Sequence, residues 1–407
     1  MRKTPTPNRI FWITLLIASP ASAQTWTEGD VTALARARSV DVLAASVRAR
    51  RADAEARTAG LLPNPSVEWE RQEAFAPNAQ TQDIVRLVVP LELSGRPATR
   101  RALAELEARL SEAEAEAVAL DAVAAARAAF HRALAAERRV AVFEEQRDAL
   151  AEALRVMESR RAAGEVSGYE TARLSIGVEL ARSQAAQARV EADAARARLA
   201  ALFGADPPDA LEGELAPPPP PPLAALLGAA ETRADLRALA RADEAGQRAR
   251  ASAAYAWIPR LSIEGGYNRQ DGPVVGHGYA LGASAEIPLF DHGQAERQAA
   301  EASAALAELR DTATSRVDSL IGMSHARLTA LLAERARFEA ETAPQVERLA
   351  RAATSGYRGG ERTVVELLDA RRAATDVAER RIALALAARL AEIALTRQTP
   401  APAGAAR

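Results

Sequence analysis

The chain has 407 residues, 26% of them charged, with acids and bases nearly balanced (formal net charge -2) and only 4% aromatics. That balance leaves no basic excess for a phosphate backbone, so nucleic acid is not an expected partner. So much alanine and so little aromatic surface fit long solvated helices packed through small side chains, and the lack of any cysteine excludes disulfides, thiolate metal sites and thiol nucleophiles.

Residues 1–23 have the three parts of a secretory signal: basic Arg2, Lys3 and Arg9, an apolar run from Ile10 to Ala18, and Ala21-Ser22-Ala23 as the cleavage site. The apolar run is about half of the roughly 20 residues that span a bilayer. No cysteine follows it to carry a lipid, so export without a lipid anchor is expected. No later stretch reads as a transmembrane helix, which leaves strands to make any membrane crossing.

The rest of the chain states one pattern twice. Asn64-Pro65-Ser66-Val67-Glu68-Trp69-Glu70 returns as Ile258-Pro259-Arg260-Leu261-Ser262-Ile263-Glu264, Val89-Pro90-Leu91 returns as Ile287-Pro288-Leu289, and Gly164-Glu165-Val166-Ser167 returns as Gly360-Glu361-Arg362-Thr363, in the same order. A duplicated unit of this kind needs its copy, and further subunits, to bury its faces. The expected division is 24–204 and 223–396 as two repeats, each a helix, a strand pair and a long helical hairpin. A proline-rich linker at 205–222 joins them, and a flexible tail follows at 397–407.

The strand pairs fall at 65–75 with 83–95, and at 259–268 with 279–290. In the first pair Val67 and Trp69 alternate with Ser66, Glu68, Glu70 and Gln72, and Val85, Leu87, Val89, Leu91 and Leu93 alternate with Arg86 and Glu92. The second pair sets Leu261, Ile263, Tyr267, Tyr279, Leu281, Ala283, Ala285, Ile287 and Leu289 against Ser262, Glu264, Asn268, Ser284 and Glu286. A half-buried soluble sheet would show the same alternation. The export signal and the absence of another apolar core favour an outer-membrane barrel, whose tilted strands need about 9–11 residues. Ala76 to Gln82 and Arg269 to Gly278 read as loops.

From Pro97 to Ala163 there is no internal proline and no glycine, enough helix for about 100 Å at 1.5 Å per residue. The return helix carries a coiled-coil seam at Leu174, Val178, Ala181, Ala185, Ala188, Ala192, Ala195, Leu199 and Leu202. Leu103, Leu106, Leu110, Ala113, Ala117 and Leu120 open the outgoing helix in the same way, and Leu367, Ala370, Ala374 and Val377, then Ala383, Leu386, Leu390 and Ile393, mark the C-terminal helix. Pro344 interrupts the second outgoing helix, whereas the matching place in the first, near Asp148, has no proline; one hairpin is therefore expected straight and the other kinked or broken. The linker, with Pro217 to Pro222 in a row, is expected to be an exposed extended connector.

Gly164-x-x-Ser167-x-x-Glu170-x-Ala172, its copy Gly360-x-x-Thr363-x-x-Glu366-x-x-Asp369-Ala370, the preceding Tyr357 and the Pro-Leu strand ends resemble the TolC-like outer-membrane efflux proteins over essentially the whole mature sequence. Leu62-Pro63-Asn64-Pro65 leans toward their heavy-metal efflux branch. The resemblance implies an α+β membrane protein: a homotrimer whose four strands per subunit close a twelve-strand barrel in outer-membrane lipid, continued by a helical coiled-coil tunnel across the periplasm. It also implies docking to a periplasmic membrane-fusion adaptor and an inner-membrane RND pump.

At the tips, Gly164 and Gly360 allow the chain reversal, and Ser167 and Thr363 stand as N-caps; the resemblance makes these four the adaptor-contact positions. It further implies that Glu170 meets Tyr357 and Arg362 to hold the tunnel shut, with Glu where the family more often has Asp. Glu366 and Asp369, on one helix face, map to its cation-selective constriction. Read from the residues alone, these five are ordinary solvated charges and a tyrosine. Nothing points to catalysis or a cofactor: His131, His277, His292 and His325 are scattered without ligand spacing, read as surface or loop residues, and no metal site is expected. A passive exit duct of a tripartite pump for metal cations or drugs is the leading function; the outer-membrane component of a type I protein-secretion system and a periplasmic coiled-coil scaffold are the alternatives.

Overall fold

The computed structural model describes residues 24–75, 79–93, 95–255, 257–272, 274–290 and 293–399, and the expected signal segment lies outside them. In chain order the elements are β1 (Thr25–Thr27), α1 (Glu28–Arg38), α2 (Val40–Ala59), β2 (Ser66–Ala74), β3 (Gln80–Leu91), α3 (Arg96–Ala162) and α4 (Gly168–Ala201). The second half follows with β4 (Ala210–Glu212), α5 (Leu223–Ala230), α6 (Ala234–Ala254), β5 (Arg260–Asp271), β6 (Gly276–Glu286), α7 (Gln294–Arg337), a π-turn at Phe338–Thr342, α8 (Ala343–Gly359) and α9 (Val364–Gln398).

β2, β3, β5 and β6 form one antiparallel sheet in that order, so the two repeats meet at the β3–β5 ladder. The register puts most apolar residues of the four strands on one face: Val67 beside Leu87, Leu87 beside Gly265, Val89 beside Ile263, Ile263 beside Ala283. Trp69, Val85, Tyr267 and Tyr279 lie in one row across the sheet, and the next row on that face is Arg71, Asp83, Arg269 and His277. An aromatic row bordered by charge marks the edge of a lipid-facing band. The opposite face is polar apart from Ile84 and Val88, with Arg86 bound to Glu70 at 2.8 Å and lying across Gly266, where a Cβ would come within 2.9 Å of its Cγ.

The strands overrun the expected loops. Arg269–Asp271 stay in β5, Gly276–Gly278 already belong to β6, and β3 starts at Gln80; the first loop's residues 76–78 lie outside the described set. Ladder bonds come from backbone, so polar side chains beyond the lipid do not end a strand. At the other end the strands stop sooner than expected, at Leu91 and Glu286. Pro90 is tolerated because β2 pairs only as far as Ser66 with Val88, leaving β3 a neighbour on one side there.

The chain region free of proline and glycine becomes α3, 67 residues long, with Pro97 in its first turn and α4 antiparallel along it. Of the expected seam, Leu174, Val178, Ala181, Ala185, Ala188, Ala192 and Leu199 are buried, while Leu202 is exposed. In the second hairpin the break at Pro344 takes the form of the π-turn: Ala343 N–H donates to Phe338 O, and Pro344, with no N–H to place, sits in the first turn of α8.

Two expectations about the second half need correction. α9 packs against both α3 and α7, so its upper part buries Leu384, Ala385, Ala388, Ala391 and Leu395, with Ile393, and leaves Ala383 exposed; a single-seam reading cannot find a doubly covered helix. The linker is not simply an exposed connector. Ala210–Glu212 pairs in parallel with Thr25–Thr27, Leu211 and Leu215 are buried, and the buried Arg389 donates to the carbonyls of Glu214 (3.0 Å), Leu215 (3.2 Å) and Ala216 (2.7 Å). These three carbonyls lie between the β4 ladder and the proline run, and a guanidinium fork can collect them.

His131 is likewise a core residue. It packs edge-on against Phe130, its Nε2 lies 3.1 Å from Glu28 Oε2, and its Nδ1 has no partner among the described residues. Beside it Arg127 joins Glu28 to Glu392 (2.9 Å) and to Thr396 (3.0 Å). Burial would raise the Glu28 carboxyl, but the His131 contact and the Arg127 charge overcome it and hold it down to about 2. This charged clamp ties α1 to α3 and α3 to α9 at mid-height.

Candidate functional site: the tips of the two hairpins

Each hairpin reverses through a glycine in the left-handed region, Gly164 at φ 81° and Gly360 at φ 79°. Each returning helix then opens on a capping box. Ser167 Oγ accepts from Glu170 N (3.3 Å), and Glu170 Oε2 accepts from Ser167 N (3.3 Å); Thr363 and Glu366 make the same pair, with Thr363 N donating to Glu366 Oε2 at 2.8 Å. Glu366 also binds Arg362 at 2.6 Å, and its carboxyl is held below the usual range by the Thr363 N–H first and by Arg362 next.

Within one chain these bonds occupy two of the three groups singled out for the gate. The Glu170 carboxylate caps its own helix, and Arg362 Nη1 binds Glu366. Arg362 is placed by its stem, which lies over Gly356 so closely that a Cβ there would meet its Cγ at 2.5 Å. Tyr357 is 5% exposed, packed with Leu150, Met157, Leu174, Val178, Val364 and Leu367. Burial pushes its hydroxyl up, the Arg160 charge pulls it down and the Glu170 charge pushes it up again, so Glu170 and Tyr357 are electrostatic neighbours. Asp369 is exposed one turn above Glu366 on α9.

Sequence reasoning missed three tip residues. Arg160, in the last turn of α3, donates Nη1 to Tyr357 O at 3.3 Å and Nη2 to Arg358 O. Gly356 makes room for Arg362, and Gly177 lets Leu368 of the other hairpin approach to 3.0 Å of where a Cβ would stand. An arginine near a helix C-terminus was a legible signal for the first; nothing in a lone sequence marks the glycines.

Among the described residues there is no helix long and apolar enough to cross a membrane and no group of three or more His, Cys, Asp or Glu side chains that could hold a metal ion. A sheet with one apolar face, joined to helical hairpins in which α3 alone runs about 100 Å, is the architecture on which comparison with known proteins bears. The family of outer membrane efflux proteins matches residues 31–205 and 227–399. This chain belongs to that family. It is a family of outer-membrane channels, not of enzymes. The chain is 29% identical over 285 residues to the nickel-cobalt-cadmium resistance protein NccC of Alcaligenes xylosoxydans xylosoxydans, a match covering 68% of this chain and 64% of that protein. It is 26% identical over 323 residues to the cobalt-zinc-cadmium resistance protein CzcC of Cupriavidus metallidurans, covering 77% and 75%. The solved structure of CusC superposes with a TM-score of 0.74 at 16% identity over 92% of each chain, which shows the shared fold.

Proposed function

We propose that this efflux channel is the passive exit duct of a tripartite RND-type pump, a homotrimer in the outer membrane that receives its cargo from a periplasmic adaptor and an inner-membrane pump. The observation that carries this reading is the sheet: four strands with an apolar face, an aromatic border and two open edges, β2 and β6. Lipid forbids open edges, so further copies must close the barrel. Residues 1–23 supply the export signal in this reading, without a lipid anchor. Gly164, Ser167, Gly360 and Thr363 present the tips to the adaptor, Glu170 works with Tyr357 and Arg362 across the closed end, and Glu366 with Asp369 favours cations as cargo approaches the axis.

Metal cations lead as cargo because the curated relatives carry metal-resistance names, with amphiphilic drugs as the other class. The duct holds no resident metal in this reading, and selection lies in the pump. Deleting the gene should lower resistance to nickel, cobalt, cadmium or zinc, as expected when one obligatory channel is lost, while the purified protein binds none of them tightly. Unchanged resistance to metals and drugs, together with loss of a secreted polypeptide, would move the chain to type I secretion.

A further inference from the structure

The straight and the bent hairpin of one chain meet along a loosely filled seam. Three adjoining cavities of about 210, 130 and 500 Å³ lie between α3, α8 and α9, and Arg371 stands in the wall of each. Its guanidinium reaches Thr354 Oγ1 at 3.0 Å; burial pushes its pKa down, with Glu145 opposing and the Arg358 charge adding to the effect. Along this stretch α8 packs on α3 chiefly at the foot, where Tyr357 lies in one cluster with Leu150 and Met157, so closure depends on contacts at its ends. The upper end has the Arg127 clamp and the Arg139–Glu379 pair at 2.9 Å.

At the lower end, among the described residues, Arg160 is the one side chain hydrogen-bonded from the first hairpin to the second. Its two bonds go to Tyr357 O, which also accepts from Gly360 N at 3.2 Å, and to Arg358 O, both in the last turn of α8, where the helix dipole favours a cation. Because the acceptors are backbone, the contact depends on where α8 ends, not on which side chains it carries. Glu170 and Arg362 make no such crossing, being occupied by Ser167 and Glu366.

We propose that Arg160 is a positioning residue of the channel: the latch that holds the tip of the bent hairpin on the straight one, so that opening requires its fork to leave the end of α8. The proposal rests on the channel reading above. Each protomer carries one latch, and losing one modest hydrogen-bonded contact shifts the closed-to-open equilibrium of that protomer's tip about tenfold.

Arg160→Gln tests it in two ways. In planar bilayers the open probability of the purified trimer should rise about tenfold, and in detergent the amides of residues 360–362 should exchange about tenfold faster, while thermal melting and exchange in the middle of α4 stay as in wild type. Wild-type conduction and wild-type exchange at the tip would overturn the latch. Should the Gln variant not assemble, Arg160→Lys, which keeps the charge and loses the fork, is measured in the same two ways, with the same rises expected and the same wild-type behaviour overturning the latch. A wild-type trimer that conducts no ions would remove the channel reading alone, since exchange at the tip then decides the latch.

Discussion

The two helical hairpins begin from the same duplicated plan and end as different mechanical objects. In the first, α3 runs unbroken for 67 residues; in the second, the outgoing helix is divided by a π-turn into segments of 44 and 17 residues. Their tips are nearly identical, each with a left-handed glycine and a capping box, so the turn chemistry does not distinguish them. The difference lies in the shafts. A straight shaft gives a fixed wall, and a shaft with a wide turn partway along gives a tip that can move relative to it, fastened by Arg127 at mid-height and by Arg160 at the end.

Making the straight hairpin resemble the bent one should have the largest effect. Asp148 stands in α3 near the place that Pro344 occupies in the second copy. Asp148→Pro removes an internal hydrogen bond and drives the ring against the carbonyl four residues back, at about 3 kcal/mol or more per protomer. Circular dichroism of the trimer should show a melting transition lowered by many degrees. A variant that melts like wild type would mean that α3 is already yielding there, and the contrast between the hairpins would fail.

The mid-height clamp sharpens the comparison through pH. Glu28 is held at about 2 in the folded chain, against an ordinary value of 4.5. Its folded pKa is depressed, so its contribution is fully present above about 4.5 and is lost as pH falls toward 2. The side chain keeps 31% exposure, which limits the contribution to about 1–2 kcal/mol. Glu28→Gln should lower the melting temperature at pH 7 and flatten its dependence between pH 4.5 and 2. Equal acid sensitivity in variant and wild type would place the titrating group elsewhere.

Much of this architecture was legible in the sequence, and the failures have common physical causes. Alternation located all four membrane strands because one face must meet lipid; it could not locate their ends, because Arg269 and His277 pair by backbone as well as Val85 does. Absence of proline and glycine marked α3, and Pro344 marked the break, but not that it would take the form of a π-turn. His131 looked like a surface residue because nothing local announces that Glu28, far away in the chain, stands over it. At the tips the reversal glycines and the Ser167 and Thr363 caps were legible, and the bonds of Glu170 and Arg362 within the chain were not foreseen. A carboxylate three residues after Ser167 or Thr363 finds its own helix cap first, and this local competitor was visible in the same motif.

Gly356 gives a smaller test, confined to the bent hairpin. Gly164 and Gly360 have open space around the missing Cβ, so alanine at either meets only the backbone penalty of a positive φ, about 1 kcal/mol and equal in the two hairpins. Gly356→Ala instead pushes the Arg362 stem away and strips Glu366 of its ion pair, an exposed contact worth under about 1 kcal/mol. Melting should hardly change, while the cation preference read from reversal potentials should rise as Glu366 is uncovered. A fall in cation preference would show that Arg362 is not what masks this carboxylate.

The smallest effect is expected from Pro344→Ala. The substitution restores an N–H that could donate to the carbonyl of Ala340 and turn the π-turn back into α-helix, for a gain of about 1 kcal/mol. Removing the wide turn would also rotate everything below it by about 100°, one residue of helix. Ala350, Ala353 and Tyr357, all buried on α8, would leave the surfaces that cover them, and burying a tyrosine alone outweighs one hydrogen bond. The break should therefore persist, with melting and open probability close to wild type. A marked rise in stability with altered conductance would show that the proline itself, and not the packing of the tip, imposes the bend.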